Sequence, residues 1–259
     1  MTLTLLLDLD NTLLDSDMNT FIPAYFQALG ETMAAHVPPE KLLKYLMQGT
    51  NAMMANQDAT KTLQEVFALN FYPYLGVERD LLDPLIEHFY RDIFPTLAYL
   101  TKKRPAAVDL VEWAFSAGHR IAIATNPLFP RAAIEHRLRW AGLAPEKYPF
   151  ELISSFETFH FSKPNPAYLA EVLQKMGWTE GAILVVGDDP VLDLSAAEAL
   201  GVAAYWIADD TQDLPAERKN PLGRGRIGAL RDWLESTDEA SLLPSAETRQ
   251  KIAALGKVL

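Results

Sequence analysis

Leu3-Thr4-Leu5-Leu6-Leu7-Asp8-Leu9-Asp10-Asn11-Thr12 is an apolar run that stops abruptly on two carboxylates. A short apolar run bounded by polar residues reads as a buried strand. In extended geometry, side chains two apart point the same way, so Asp8 and Asp10 leave the strand end together. Such a pair repels unless a cation or a proton lies between the carboxylates. Taken alone, it is equally well explained as the polar end of a strand that caps the next turn.

Working outward, the runs 120–125, 150–154, 182–186 and 203–207 read as further buried strands, with helical patterns between most of them. Alternating strands and helices predict a parallel sheet covered on both faces, a Rossmann-like three-layer α/β/α core. One interval breaks the alternation. Residues 16–99 carry helical periodicity with little strand character and are far longer than a crossover requires. They predict an inserted all-helical domain, with helices over 19–35, 39–48, 60–70 and 80–94. The α/β core then comprises 1–15 and 100–235, and 236–259 forms a C-terminal helical extension. A surface helix is expected around 227–234 and an amphipathic stretch near 247–255. Thr101-Lys102-Lys103-Arg104-Pro105, where the chain re-enters the core, reads as a solvated basic linker.

Ligands of open parallel sheets bind outside the carboxyl ends of the strands. Here those ends present Asp8 to Thr12, Thr125-Asn126 and Gly187-Asp188-Asp189, with Lys163 a short loop beyond the 150–154 strand. Most have a bland reading. Thr125 and Asn126, ahead of Pro127, could cap a helix over 131–140. Lys163 precedes Pro164-Asn165-Pro166, where Asn165 reads as an N-cap and Pro166 as the first helical residue. Asp189 could cap the helix after Pro190, and Asp193 could favour its first turn. Asp188 resists this treatment: it follows Gly187, read as a tight-turn glycine, and sits where a metal would take a second carboxylate. Together, carboxylates, a hydroxyl, an amide and a lysine converge at one mouth. A hard cation such as magnesium takes one or two carboxylates plus substrate phosphate.

In this order and at these strand ends, the residues match four known signatures: Asp8-Leu9-Asp10-Asn11-Thr12, Thr125-Asn126, Lys163-Pro164, and Gly187-Asp188-Asp189-Pro190-Val191-Leu192-Asp193. The chain resembles the haloacid dehalogenase superfamily, most of whose members are phosphatases. The resemblance covers about 2–14 and 105–209, and 16–99 resembles the family's helical cap. It implies a magnesium-dependent phosphatase that hydrolyses a small phosphorylated metabolite through an aspartyl phosphate. Asp8 would be the nucleophile; Asp10 would protonate the leaving alcohol and then activate water. The Asp8 carboxylate, the Asp10 carbonyl oxygen and Asp188 would hold Mg2+. Thr125 and Asn126 would bind the phosphoryl group and Lys163 would neutralise it. Asp193 would orient Lys163, with Thr12 and Asp189 in supporting positions. In family members that cleave carbon–halogen bonds the position of Asp10 is not an acid, because halide needs no proton to leave. Mutases of the family usually carry an apolar residue where this chain has Thr12. A phosphomutase, or a silent phosphate-binding protein on the same fold, is the alternative.

The remaining signals narrow the field. There are no cysteines, which removes disulfides, thiolate zinc sites and cysteine nucleophiles. A net charge of -11 disfavours a nucleic-acid partner. The apolar stretch 1–7 is too short for a signal peptide or a membrane span, so a cytoplasmic protein with no membrane partner is expected. Gly223-Arg224-Gly225-Arg226-Ile227-Gly228 has dinucleotide-binding spacing, but Asn220-Pro221-Leu222 precedes it instead of a strand. The histidines show no paired metal-ligand spacing; His160 could reach a pocket rim, though a structural role fits better. Aromatics of the insert, such as Phe21, Tyr25 and Phe71, read as helix packing first.

Overall fold

The computed structural model describes residues 2–209, 211–217 and 221–256. Met1, Asn220 and the end of the expected C-terminal extension, 257–259, lie outside the described residues. β1 (Leu3–Leu7) is the middle of a six-stranded sheet in the order β5-β4-β1-β6-β7-β8. Its members are β4 (Arg120–Ile123), β5 (Leu152–Ile153), β6 (Ala182–Gly187), β7 (Ala203–Ile207) and β8 (Gly223–Gly225), all paired in parallel. β1 and β6 are buried along their whole length, which is why both read as continuous apolar runs. The pleat divides them between two cores. Leu6, Ile183 and Val185 face α7 (Pro166–Lys175) and α8 (Ser195–Leu200). Leu5, Leu7, Leu184 and Val186 face α5 (Pro105–Ser116) and α6 (Arg131–Trp140). Truncating Leu5, which is fully buried, to alanine would cost about 2–5 kcal/mol.

β8 was not expected. The glycines of the 223–228 motif serve strand packing: a Cβ on Gly223 would sit 2.4 Å from Trp233 on α9 (Leu230–Ser236), and one on Gly225 2.6 Å from the Tyr205 hydroxyl. β5 is shorter than the expected 150–154 run. α10 (Ala246–Gly256) lies on the core, where Thr248 Oγ1 donates to the Gly201 carbonyl at 3.0 Å and Gln174 Nε2 to that of Gly256 at 2.8 Å.

The insert is helical, as its periodicity predicted: α1 (Met18–Met33), α2 (Pro39–Met54), α3 (Leu63–Leu75) and α4 (Arg79–His88). The chain leaves α4 through a π-helical turn (Phe89–Ile93) and a 3-10 helix (Phe94–Leu100), so the expected 80–94 helix is split. α2 runs past its expected end at Gln48, because Gly49 is not a stop. A Cβ there would meet the Phe67 ring at 2.6 Å, so the glycine lets α2 and α3 approach. α3 starts with a reciprocal Thr62–Glu65 cap and ends on Gly76 at φ 69°. The insert has its own core, built on Phe21, Tyr25, Phe71, Phe89 and Phe94; Ala133 of α6 belongs to it, and Phe129 and Trp140 pack against it.

The basic run at 101–105 is more than a linker. β2 (Leu14–Ser16) and β3 (Thr101–Lys103) pair antiparallel, Leu14 opposite Lys103 and Ser16 opposite Thr101. The chain therefore enters and leaves the insert through one two-stranded ribbon. β3 could be recognised only with its partner, 85 to 89 positions away in register, in view.

Candidate active site

The site begins where β1 runs out. The Asp8 amide still donates to the Val186 carbonyl at 2.9 Å, which fixes its backbone to β6. Asn11 then takes φ 56°, a left-handed conformation that asparagine tolerates, and turns the chain away from the sheet.

Lys163 is the hub. It is 3% exposed, and its Nζ donates to Asp8 Oδ1 at 2.8 Å and to Asp193 Oδ1 at 2.5 Å. Its backbone amide donates to Asn126 Oδ1 at 3.2 Å, so Asn126 positions the loop that delivers the ammonium. Asn165 then caps α7, accepting from the Ala167 amide at 3.0 Å. Burial pulls the Lys163 pKa down, but Asp193 and Asp8 outweigh it, and the pKa is raised. Burial raises Asp193 in turn, against the pull of Lys163.

Asp193 Oδ2 accepts from the Asp189 amide at 3.1 Å, and its carboxyl group lies against the backbone of Gly187. A Cβ on Gly187 would fall 2.1 Å from Asp193 Oδ2. The glycine is therefore required for room, and not for the tight turn that its position in the sequence implies. Asp189 caps the following turn, accepting from the Val191 amide at 2.7 Å and the Leu192 amide at 3.0 Å.

Asp188 stands beside this pair. Thr12 Oγ1 donates to its Oδ1 at 3.3 Å, and Trp206 Nε1 to its carbonyl at 2.9 Å. Burial, then the charges of Asp8, Asp193 and Asp189, push the Asp188 carboxyl up to about 8. Carboxylate oxygens of Asp8, Asp188 and Asp193 all lie within 4.8 Å of one another. An oxygen-only donor set with mutual repulsion fits a hard divalent cation such as magnesium. Because Asp193 is committed to Lys163 and to the Asp189 amide, Asp8 and Asp188 are the carboxylates with capacity for a metal.

Thr125 is buried, and its carbonyl accepts from Ser154 Oγ and Tyr168 Oη, both at 2.7 Å. α6 starts after Pro130 without a side-chain cap, so Thr125 and Asn126 are not its caps. Their bland reading falls away.

Asp10 does not join the carboxylate cluster. Ser16 Oγ donates to its Oδ1 at 3.2 Å, and Arg137 Nη1 donates to its Oδ2. Burial raises the Asp10 pKa, with Arg137 opposing. Arg137 is the residue that sequence reasoning missed. The signal was there: it falls on the stripe of α6 that carries the buried Ala133, Ile134 and Leu138, where a cation needs a reason to be.

His160 has the structural role that fitted it better. Its Nδ1 pairs with Glu171 Oε1 at 2.8 Å, and Glu171 is fully buried. A mostly apolar cavity of about 830 Å³ is lined by residues of both the insert and the core, Tyr25, Phe67, Phe71, Phe129 and Phe156 among them. Residues 128–130, which follow Asn126, form part of its wall, but none of the motif carboxylates lines it among the described residues.

The family of hydrolases described as haloacid dehalogenase-like matches residues 2–201. The chain belongs to that family. Among haloacid dehalogenase-like relatives, the phosphoglycolate phosphatases of Mesorhizobium japonicum and Aquifex aeolicus are each 25% identical to it. These alignments cover 77% and 78% of this chain and 80% and 84% of the relatives. The crystal structure of a 2-haloacid dehalogenase from Pseudomonas syringae superposes with a TM-score of 0.63 at 20% identity, covering 91% of this chain and 99% of that one. At that identity the likeness is one of fold. No helix among the described residues is long and apolar enough to cross a membrane.

Proposed function

We propose that the protein is a magnesium-dependent phosphatase that hydrolyses a small phosphomonoester through an aspartyl phosphate on Asp8. The observation that carries this reading is the geometry around Asp8: a buried ammonium at 2.8 Å, a carboxylate oxygen of Asp188 within 4.8 Å, and Asp10 two residues on. Phosphoryl transfer needs positioning and charge neutralisation more than covalent activation. Magnesium held by Asp8, the Asp10 backbone carbonyl and Asp188 would supply positive charge to the phosphoryl oxygens. Lys163, Thr125 and Asn126 bind and neutralise the same oxygens. An Asp8 oxygen attacks phosphorus; the bond to the ester oxygen breaks, and that oxygen leaves with the electron pair and takes a proton from Asp10. Water then attacks the aspartyl phosphate and gives its proton to Asp10, which returns Asp8 and inorganic phosphate. Asp193 holds Lys163 in place, and Thr12 and Asp189 support Asp188 and Asp193.

Asp10 favours phosphate over halide chemistry, since only an alkoxide leaving group needs the proton. The relatives named phosphoglycolate phosphatases make small phosphorylated acids the first compounds to try. In this reading 1–15 and 100–235 are the catalytic core, 16–99 the cap that selects the leaving group, and 236–259 an extension docked on the core. The test is phosphate release from a panel of phosphomonoesters, with and without magnesium, by the wild-type protein and Asp8→Asn. Activity that persists in Asp8→Asn, or after complete chelation, would refute the mechanism. Phosphate that migrates within a phosphosugar without release would identify a mutase instead.

A further inference from the structure

The geometry points to Arg137 as the positioning residue for the acid–base carboxylate Asp10, one that sets the plane of its carboxyl group. This rests on the phosphatase reading above and adds a residue from outside its four motifs. Arg137 is 2% exposed and lies on the apolar stripe of α6. Its Nη1 donates to Asp10 Oδ2, and its guanidinium stacks 4.6 Å from the centre of the Phe129 ring, in the loop that follows Thr125 and Asn126. Its Nε and Nη2 are buried with no hydrogen-bond partner among the described residues.

Those orphaned donors argue against a purely structural role. A buried arginine kept for stability has its N–H groups satisfied, because each one left unpaired costs free energy. At this helix position a leucine would fill the stripe without that penalty, and buried ion pairs seldom outperform apolar replacements. What Arg137 does achieve is orientation. Asp10 Oδ1 meets the Ser16 hydroxyl and Oδ2 meets the guanidinium, so the plane of the carboxyl group is set by two donors on different elements. Held from both sides, the carboxyl group is presented in a single orientation, both when the leaving oxygen is protonated and when water is activated.

The experiment reads dependence on the leaving group, which a merely structural residue would not alter. kcat/KM is compared for alkyl phosphates, whose alkoxide needs protonation, and for 4-nitrophenyl phosphate, whose phenolate leaves unaided. With Arg137→Met, kcat/KM for the alkyl esters should fall by roughly 10²-fold, within the range of general acid catalysis. The nitrophenyl ester should lose less than about fivefold, because its leaving group takes little from that term. In an Asp10→Asn background the same substitution should cost less than about threefold, since residues acting as one unit are not additive. Arg137→Lys should recover part of the alkyl activity. If Arg137→Met does not fold, by circular dichroism and thermal unfolding, Arg137→Lys carries the test with about a tenfold alkyl loss, its ammonium lacking the planar fork. A common factor across all esters, or a full additional loss in Asp10→Asn, would overturn the assignment. If the wild-type protein turned over neither ester, the phosphatase reading would fail, and this inference with it.

Discussion

Replacing Lys163 by methionine keeps most of the side-chain volume and removes the one charge standing between Asp8 and Asp193. At 2.8 and 2.5 Å, and an effective dielectric constant near 20, each contact carries about 6 kcal/mol of Coulombic attraction. Burying the charges offsets most of that, and breaking such a pair from one side costs about 3–5 kcal/mol. For a protein of this size, at about 2 °C per kcal/mol, the apparent Tm should fall by roughly 6–10 °C. The sign with pH follows from the raised pKa of Lys163. The wild-type lysine stays protonated up to and past its ordinary value, so its contribution is complete at pH 5 and at pH 8. In the variant Asp193, whose carboxyl burial already pushes up and which has lost the opposing ammonium, relieves the repulsion by taking up a proton at pH 5 but less readily at pH 8. The deficit should therefore be larger at pH 8. Magnesium, for which Asp8 is a proposed ligand, should recover part of it. Differential scanning calorimetry at both pH values, with and without magnesium, measures all three effects. A variant that melts within about a degree of wild type at pH 8 would refute the argument.

Three further outcomes are expected. Because the Asp188 carboxyl is pushed up to about 8, a cation must displace a proton from it below that pH, and magnesium affinity should weaken by up to about tenfold per unit as pH falls. Isothermal titration from pH 6 to 9 checks this, and the trend should flatten in Asp188→Asn. Gly187→Ala places a methyl group on the Asp193 carboxyl; it should cost about 1–3 kcal/mol and lower kcat, as seen by thermal melts and steady-state kinetics. Substitutions at Phe67 or Phe71 in the cavity wall should change which ester is preferred, whereas Lys163→Ala should slow every ester by a common factor of about 10²–10³. A substrate panel separates the two patterns.

The parts legible in the sequence were those whose signal is local. β1 and β6 announce themselves because strands buried on both faces are apolar throughout, and Asp8 and Asp188 stand where those runs end, with Lys163 marked by the Pro-Asn-Pro turn that follows it. Helical periodicity alone marked the insert. Signals that depend on a distant partner stayed hidden. β3 is a strand only because β2 lies beside it, and β8 only because Trp233 and Tyr205 crowd its glycines. Glycine proved the least transparent residue. Gly187 read as a turn and Gly49 fell just past the expected end of its helix, yet both are small because a side chain occupies the space where their Cβ would be. Arg137 was missed for a related reason: its target, Asp10, lies 127 residues away and on another element.

The ribbon of β2 and β3 has a consequence for how the chain could be rebuilt. Ser16 and Thr101 face each other across it, so the ends of the helical segment meet within about 5.5 Å. A tight turn of two residues, such as Asn-Gly, could in principle rejoin the strands with the helices deleted. By the same measure, a foreign segment whose ends lie close together could be spliced in without disturbing the sheet. What resists excision is adhesion. Trp140 of α6 stacks 5.3 Å from Phe94, and Phe129 lies 5.5 Å from Tyr25, both across the boundary. A shortened chain would close easily and then present those rings to water, so the severed protein should be soluble only once Phe129 and Trp140 are exchanged for polar side chains.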